Sequence, residues 1–325
     1  MRTITTEKLS PVQETFLKET LDGLQSTPKF MHSKYFYDEQ GDYIFQEIMN
    51  MDEYYLTDAE MDILVNQSEK IAQVISRPGT AFDLVELGAG DATKSIYLLK
   101  ELLSGNLEFN YLPVDISSHV IQDLEENLPV KLPELNIQGL NGDYLEMLRK
   151  ANQLSDRRKV VLFMGANIGN MAPDEALNFC SELRSLLDKD DILIIGVDLK
   201  KNPQQILAAY NDSMGVTSAF NLNLLERINK ELGGNFEISN FEHYASYDPQ
   251  TGACKSYLIS LKDQTVSIAE DHQISFAKDE FIFMEISQKY SLKEIEAMAS
   301  LSGFQAQQHF FDHNQYFVDS IWVVG

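Results

Sequence analysis

Glu86-Leu87-Gly88-Ala89-Gly90-Asp91 is the segment whose residue types point most directly to chemistry. Two glycines just after an apolar run let the backbone approach a ligand closely at a strand-to-helix turn. A dinucleotide site would add a third glycine and hold a pyrophosphate on the helix N-terminus. Here the third position is Thr93, and the acids Glu86 and Asp91 flank the loop. Negative charge beside a phosphate is costly, whereas a sulfonium is positive and brings no phosphate. The sign of the loop therefore favours S-adenosylmethionine over NAD, with Glu86, Gly88 and Gly90 as cofactor-binding candidates. Asp115 ends the next apolar run, where an acid accepts from ribose hydroxyls. Asp143, in Asn141-Gly142-Asp143-Tyr144, follows the third and is placed to accept from an adenine amino group. Each of these acids would serve equally as a helix cap. Three of them on successive strand ends argue together for a ligand.

Positioning such residues takes a strand–helix alternation, and the chain has one. Apolar strands are expected at Ala81–Leu87, Phe109–Val114, Asn136–Leu140, Val160–Met164 and Ile192–Val197. Helices fall between them, over Ala92–Leu103, around Val120–Glu126 and from Pro173 onward. That spacing means βαβ units and a parallel sheet. The alternation is bracketed by different material. Ser10-Pro11-Val12-Gln13 is a capping box opening a helix to about residue 24, and residues 30–56 are dense in aromatics. Thr57-Asp58-Ala59-Glu60 reads as a second capping box, for a helix to about Ile75. After Asp198, residues 203–232 read as helices and 236–286 as short alternating strands. Leu292–Leu301 is a helix, and Ala306–Phe311 with Tyr316–Val324 form a terminal hairpin.

With 325 residues, 44% of them hydrophobic, the chain can build one large or two modest cores. A net charge of −24 argues against a nucleic-acid backbone or an anionic membrane as partner. No stretch reaches the roughly 20 apolar residues of a membrane span, and Met1–Glu7 lacks the apolar core of a secretory leader. Cys180 and Cys254 stand far apart without metal-ligand spacing, so no disulfide framework or zinc site is expected and a cytoplasmic setting fits. His309 and His313 have HxxxH spacing but lack its glutamate and straddle a strand end and turn; no metal is expected.

The chain also resembles a known family, the histidine-specific Nα-methyltransferases of ergothioneine biosynthesis, which make hercynine. The likeness rests on Tyr35-Phe36-Tyr37-Asp38 with Gly41, Glu53-Tyr54-Tyr55-Leu56-Thr57 and Gly165-Ala166-Asn167-Ile168-Gly169-Asn170. It continues through Gly196-Val197-Asp198-Leu199, Ala209-Tyr210-Asn211-Asp212, Ala219-Phe220-Asn221 and Glu285-Ile286-Ser287. It implies a Rossmann-like class I methyltransferase α/β fold with a terminal antiparallel hairpin, plus a smaller α+β substrate-binding domain. The expected boundaries are 61–198 with 287–325 for the cofactor domain, and 1–60 with 199–286 for the substrate domain. By the same resemblance, Gly88, Lys94, Asp115 and Asp143 bind cofactor, and Tyr37, Tyr54, Asn170, Tyr210, Glu285 and Ser287 serve the substrate. Tyr37 and Asn170 are the catalytic candidates among these. The family pattern has a methionine where this chain has Ser256.

Those side chains suit a zwitterionic amino acid. Tyr54, Asn170 and Tyr210 can donate to a carboxylate, Glu285 can accept from an imidazole N–H, and Ser287 can meet the other ring nitrogen. The expected reaction is in-line transfer of methyl from S-adenosylmethionine to the α-amine of L-histidine, repeated to the trimethyl stage, with S-adenosylhomocysteine as co-product. The rivals are the same chemistry on another amine, an NAD oxidoreductase, and a non-catalytic S-adenosylmethionine-binding protein. A monomer is expected.

Overall fold

The structure is a computed structural model, and it describes residues 10–76 and 80–325. The segment read for a leader, Met1–Glu7, lies outside the described residues. Helix α1 (Pro11–Gln25) starts at the capping box, with Ser10 and Gln13 bonded reciprocally. Strand β1 (Lys29–Phe30) and α2 (Glu39–Met49) follow; Asp38 caps α2 by accepting the Gly41 N–H at 2.8 Å. Helix α3 (Leu56–Ile75) ends where expected but begins differently. Thr57 caps nothing: Tyr55 holds the cap position without a side-chain bond, and Glu60 turns inward, with no exposed surface.

Next come β2 (Phe82–Leu87), α4 (Ser95–Ser104), β3 (Phe109–Asp115), α5 (Ser118–Lys131) and β4 (Leu140–Asn141). After them run α6 (Tyr144–Leu154), β5 (Arg158–Phe163), α7 (Pro173–Ser185) and β6 (Ile192–Asp198). Every residue of β2 and β6 is buried, as strands covered on both faces require. Helix α4 begins three residues after Ala92, because Gly90 and Ala92 sit at φ of 52° and 54° and extend the loop. The strand expected at 136–140 shrinks to β4, with Ile137 making only an isolated bridge to Tyr111. The remainder is α8 (Pro203–Tyr210), α9 (Val216–Leu232), β7 (Phe241–Tyr247), β8 (Ala253–Ser260), β9 (Gln264–Ile268), β10 (His272–Phe276) and β11 (Phe281–Gln288). Helix α10 (Leu292–Leu301), β12 (Phe304–Phe311) and β13 (Phe317–Val324) close the chain.

Two compact units result. The first comprises the described part of Met1–Tyr54 with Asn202–Ser287. Its core gathers Phe16, Phe36, Phe220, Leu224 and Ile282 under a sheet ordered β1-β11-β8-β7, with β1 parallel to β11. Strands β9 and β10 form a separate antiparallel pair. The second unit comprises Tyr55–Lys201 with Gln288–Gly325. Its sheet runs β12-β13-β6-β5-β2-β3-β4, parallel from β6 to β4 and antiparallel at the β12–β13 hairpin. This is a doubly wound sheet with a terminal antiparallel hairpin, the arrangement that the resemblance implies. Sequence order reverses across β2, so the loop after it opens at the switch point where ligands of such sheets bind.

The crossings between units fall after residues 54, 201 and 287. In the second unit, the residues beside those crossings meet at one carboxylate. Asp198, at the end of β6, accepts the Tyr55 hydroxyl at 2.8 Å, Lys289 Nζ at 2.7 Å and Lys201 Nζ. The side chains of Asp198 and Lys289 have no exposed surface. Lys201 Nζ also lies 4.2 Å from the centre of the Tyr55 ring. Burial pulls the Lys201 ammonium down to about 8, against the attraction of Asp198. Among the described residues, no helix is long and apolar enough to cross a membrane, and no three His, Cys, Asp or Glu side chains are grouped to hold a metal ion.

Candidate active site

The turn after β2 is held open by its own backbone. Gly88 and Ala89 donate to Val114 O at 2.8 and 3.1 Å, which ties the loop to β3. Gly88 sits at φ 76°, and a Cβ there would lie 3.0 Å from Tyr144 Oη and 3.1 Å from Asn167 Nδ2. A side chain would therefore both strain the backbone and fill the space that the turn leaves for a ligand. Asp115 joins the same turn by accepting Gly90 N–H at 3.3 Å, while its other oxygen takes Ser117 N–H at 2.9 Å. Asp143 caps α6 through Oδ1, taking Leu145 N–H at 3.0 Å. Tyr144 stands beside both acids: burial, then the charges of Asp115 and Asp143, push its hydroxyl up to about 12.

A cleft opens at this turn, lined by Glu86, Gly88, Ala89 and Lys94 together with Met164 and Gly165. Asp115 and Asp143 are not in its lining. Glu86, at the end of β2, is buried and accepts the Tyr111 hydroxyl at 2.5 Å. Burial pushes its carboxyl up to about 7, opposed by the Tyr111 bond and the Lys94 charge. Lys94 is bonded to Glu60, whose other oxygen accepts Gly165 N–H at 2.7 Å. Burial alone would lower the Lys94 ammonium, but Glu60 outweighs it and the net direction is up. A cleft lined by buried Glu86 and exposed Asp91, with its lysine already paired, suits a sulfonium better than a diphosphate. The residues present thus fit S-adenosylmethionine.

The first unit gathers most of the predicted substrate residues. Tyr210, ending α8, and Ser287, on β11, share a hydrogen bond of 2.7 Å, and both are buried. The Tyr54 ring packs edge-on against Tyr210, with centroids 6.3 Å apart. Glu285 lies two residues before Ser287 on β11, hence on the same face of the strand, and is half-buried. Tyr37 is 45% exposed and packs edge-on against Phe45 and Phe220 at 5.6 and 5.8 Å. Asn170 belongs to the second unit, exposed at the end of the short 3-10 turn Asn167–Asn170. Ser256 is buried on β8, opposite Ala245.

A family model of histidine-specific, S-adenosylmethionine-dependent methyltransferases matches residues 16–324. The chain belongs to this family. It is 32% identical over 299 residues to the histidine N-alpha-methyltransferase of Mycolicibacterium smegmatis, covering 92% of this chain and 91% of that one. The corresponding Mycobacterium tuberculosis protein is 30% identical, with 88% of each chain covered. Ergothioneine biosynthesis protein 1 of Schizosaccharomyces pombe is 28% identical over 83% of this chain, which spans 35% of that longer protein.

Within this methyltransferase family member, several motif residues prove to hold backbone. Asp38 caps α2 and also accepts from Asn223 Nδ2 at 2.8 Å, joining α2 to α9. In the Gly165–Asn170 segment, Asn167 Nδ2 donates to Met164 O at 2.8 Å, and a Cβ on Gly169 would meet Gln288 O at 2.9 Å. Four residues that shape the cleft were missed by sequence reasoning: Glu60, Tyr111, Tyr144 and Asn167. Tyr144 and Asn167 stood inside recognised motifs. Glu60 carried a misleading signal, its capping-box spacing, and Tyr111 gave none.

Proposed function

We propose that this chain methylates the α-amine of L-histidine with S-adenosylmethionine and carries it to the trimethyl betaine, hercynine. The observation that supports this most is the Tyr210–Ser287 hydroxyl pair, 2.7 Å apart and two residues from Glu285 on one strand face. Each hydroxyl can donate or accept, whereas the carboxylate beside them can only accept when ionised. An imidazole, with one N–H and one bare nitrogen, matches both kinds of group.

Bound S-adenosylmethionine supplies an electrophilic methyl on sulfur, leaving as S-adenosylhomocysteine. Everything else falls to the protein. Glu86 faces the cofactor's positive charge, and Gly88 and Gly90 give the backbone room for it. Lys94 and the acids Asp115 and Asp143 complete the cofactor-binding set. Glu285 accepts the imidazole N–H, Ser287 donates to the bare ring nitrogen while accepting from Tyr210, and Tyr54 donates to the α-carboxylate. Tyr37 keeps its hydroxyl near the amine and holds a water that takes a proton between transfers. Orientation of this kind supplies roughly 7–11 kcal/mol where geometry is tight, and no strong base is required because an α-amine titrates at about pH 8 and water can take its proton. The two buried, unbridged cysteines support a reducing, cytoplasmic setting, and a monomer is enough for a small-molecule substrate.

The test is incubation with S-adenosylmethionine and a panel of amino acids, read by mass spectrometry. Histidine should gain three methyl groups. Methylation of another amino acid with none on histidine refutes the substrate. Glu285→Ala should raise the histidine KM at least tenfold and leave S-adenosylhomocysteine affinity unchanged.

A further inference from the structure

The cleft's lining hides a second layer of charge. Glu60, on α3, is fully buried and does not line the cleft, yet it grips two residues that do. One oxygen takes the Gly165 N–H at 2.7 Å and the other takes Lys94 Nζ. Its carboxylate fills the space where a side chain at Gly196 would project. Directly across the β6–β13 pairing from Gly196 lies Asp319, fully buried, with neither oxygen hydrogen-bonded among the described residues. Burial first, then the nearby Glu60 charge, push the Asp319 carboxyl well above the usual range. Glu60 is the acid bonded to Lys94, and Asp319 is a second buried acid beside it.

We propose that Glu60 is a positioning residue that sets the cleft's preference for the sulfonium cofactor over its neutral thioether product. By pairing with Lys94 it prevents a bare cation from facing a ligand that is itself positive at sulfur. S-adenosylmethionine carries one more positive charge than S-adenosylhomocysteine, so a cation left uncompensated at the cleft wall repels the first and spares the second. This rests on the cofactor reading above and extends it to a residue that touches the cofactor only through Lys94 and Gly165.

The measurement is calorimetric: dissociation constants for S-adenosylmethionine and S-adenosylhomocysteine, taken as a ratio. Asp319 is a second buried acid beside Glu60, so the decisive protein removes both, Glu60→Gln with Asp319→Asn. There the ratio should move against S-adenosylmethionine by roughly tenfold, the scale of one unit charge acting on another about 10 Å away in partly solvated protein. Lys94→Met removes the cation instead and should move the ratio the other way, severalfold toward S-adenosylmethionine. It serves also where the double variant does not fold. A purely structural role weakens both ligands together and leaves the ratio unmoved. A ratio unmoved in these two proteins, or shifted with the same sign in both, overturns the inference while the cofactor reading stands. Wild-type protein that binds neither ligand overturns both.

Discussion

Replacing Asp198 by asparagine keeps the shape of the side chain and removes its charge. Lys289, with no exposed surface, then loses the carboxylate it meets at 2.7 Å. Removing one partner of a buried ion pair costs about 3–5 kcal/mol, mostly because the other charge is stranded. Lys201 is affected as well but has an escape. Its ammonium is already pulled down to about 8 by burial, so it can shed its proton near neutral pH. The sign follows from that value: below pH 8 Lys201 is charged in both folded and unfolded chains, and its burial penalty is fully present. Between pH 8 and the ordinary lysine value of 10.5 the unfolded chain holds more protons, so this group's contribution to stability improves as pH rises. At pH 7 the loss should therefore approach the full pair value. With about 2–4 °C of melting temperature per kcal/mol for a unit of this size, Asp198→Asn should melt about 6–20 °C lower. Trp322 is the chain's one tryptophan and is fully buried in the same unit, so its emission reports the transition. Adding Lys289→Met removes the buried cation that has lost this carboxylate and should recover at least half of the loss. A melting point within about 2 °C of wild type for Asp198→Asn, or no recovery in the double variant, refutes the reasoning.

Two further predictions concern the cleft. Gly88→Ala adds a Cβ at φ 76° within 3.0 Å of Tyr144 Oη, so it should cost about 1–3 kcal/mol of stability and weaken S-adenosylhomocysteine binding at least tenfold by calorimetry. Glu86, pushed up to about 7 by burial, is protonated in much of the unligated protein at pH 6.5. Its carboxyl is neutral in both states below the ordinary 4.5, and the stability it then contributes is lost as pH rises through 7. A sulfonium favours the ionised form, so S-adenosylmethionine should bind more tightly at pH 8 than at pH 6 and release protons on binding at pH 6.5. Calorimetry in buffers of different ionisation enthalpy reads the protons, and Glu86→Gln should abolish the release.

The central strands were legible because burial on both faces leaves them nearly all apolar. β2 and β6 could hardly be read otherwise. The edge was not. Residues 136–140 have strand-like composition, but Gly139 lies against Ile121 and Glu125 of α5, and regular pairing with β3 starts only at Leu140. Helix α6 was not read in the sequence, although Asp143, weighed there as both ligand contact and helix cap, is its N-cap. Glu60 shows the limit most plainly: local spacing proposed a bond to its own helix start, and the residues it reaches are 34 and 105 positions away. For the glycine turn, residue type and sign of charge were enough to suggest a cofactor class. The substrate residues were named through resemblance, since nothing local in Glu285-Ile286-Ser287 announces that Tyr210 lies against it.

The order of segments along the chain has a consequence for folding in time. Strand β1, at Lys29–Phe30, pairs with Ile282 and Phe283 of β11, so the first unit's sheet waits for more than three-quarters of the chain to be made. The second unit waits longer, because β13 must insert between β12 and β6 and its last paired residue is Val324. Neither unit is a continuous stretch of sequence, and contacts of such long range fold slowly. During synthesis β6 therefore stands as an apolar strand with one open edge until the hairpin arrives, a template for wrong pairing. Lys289, which pairs with Asp198 at the end of β6, precedes that hairpin in the chain, so the residues that seal the exposed edge all follow it.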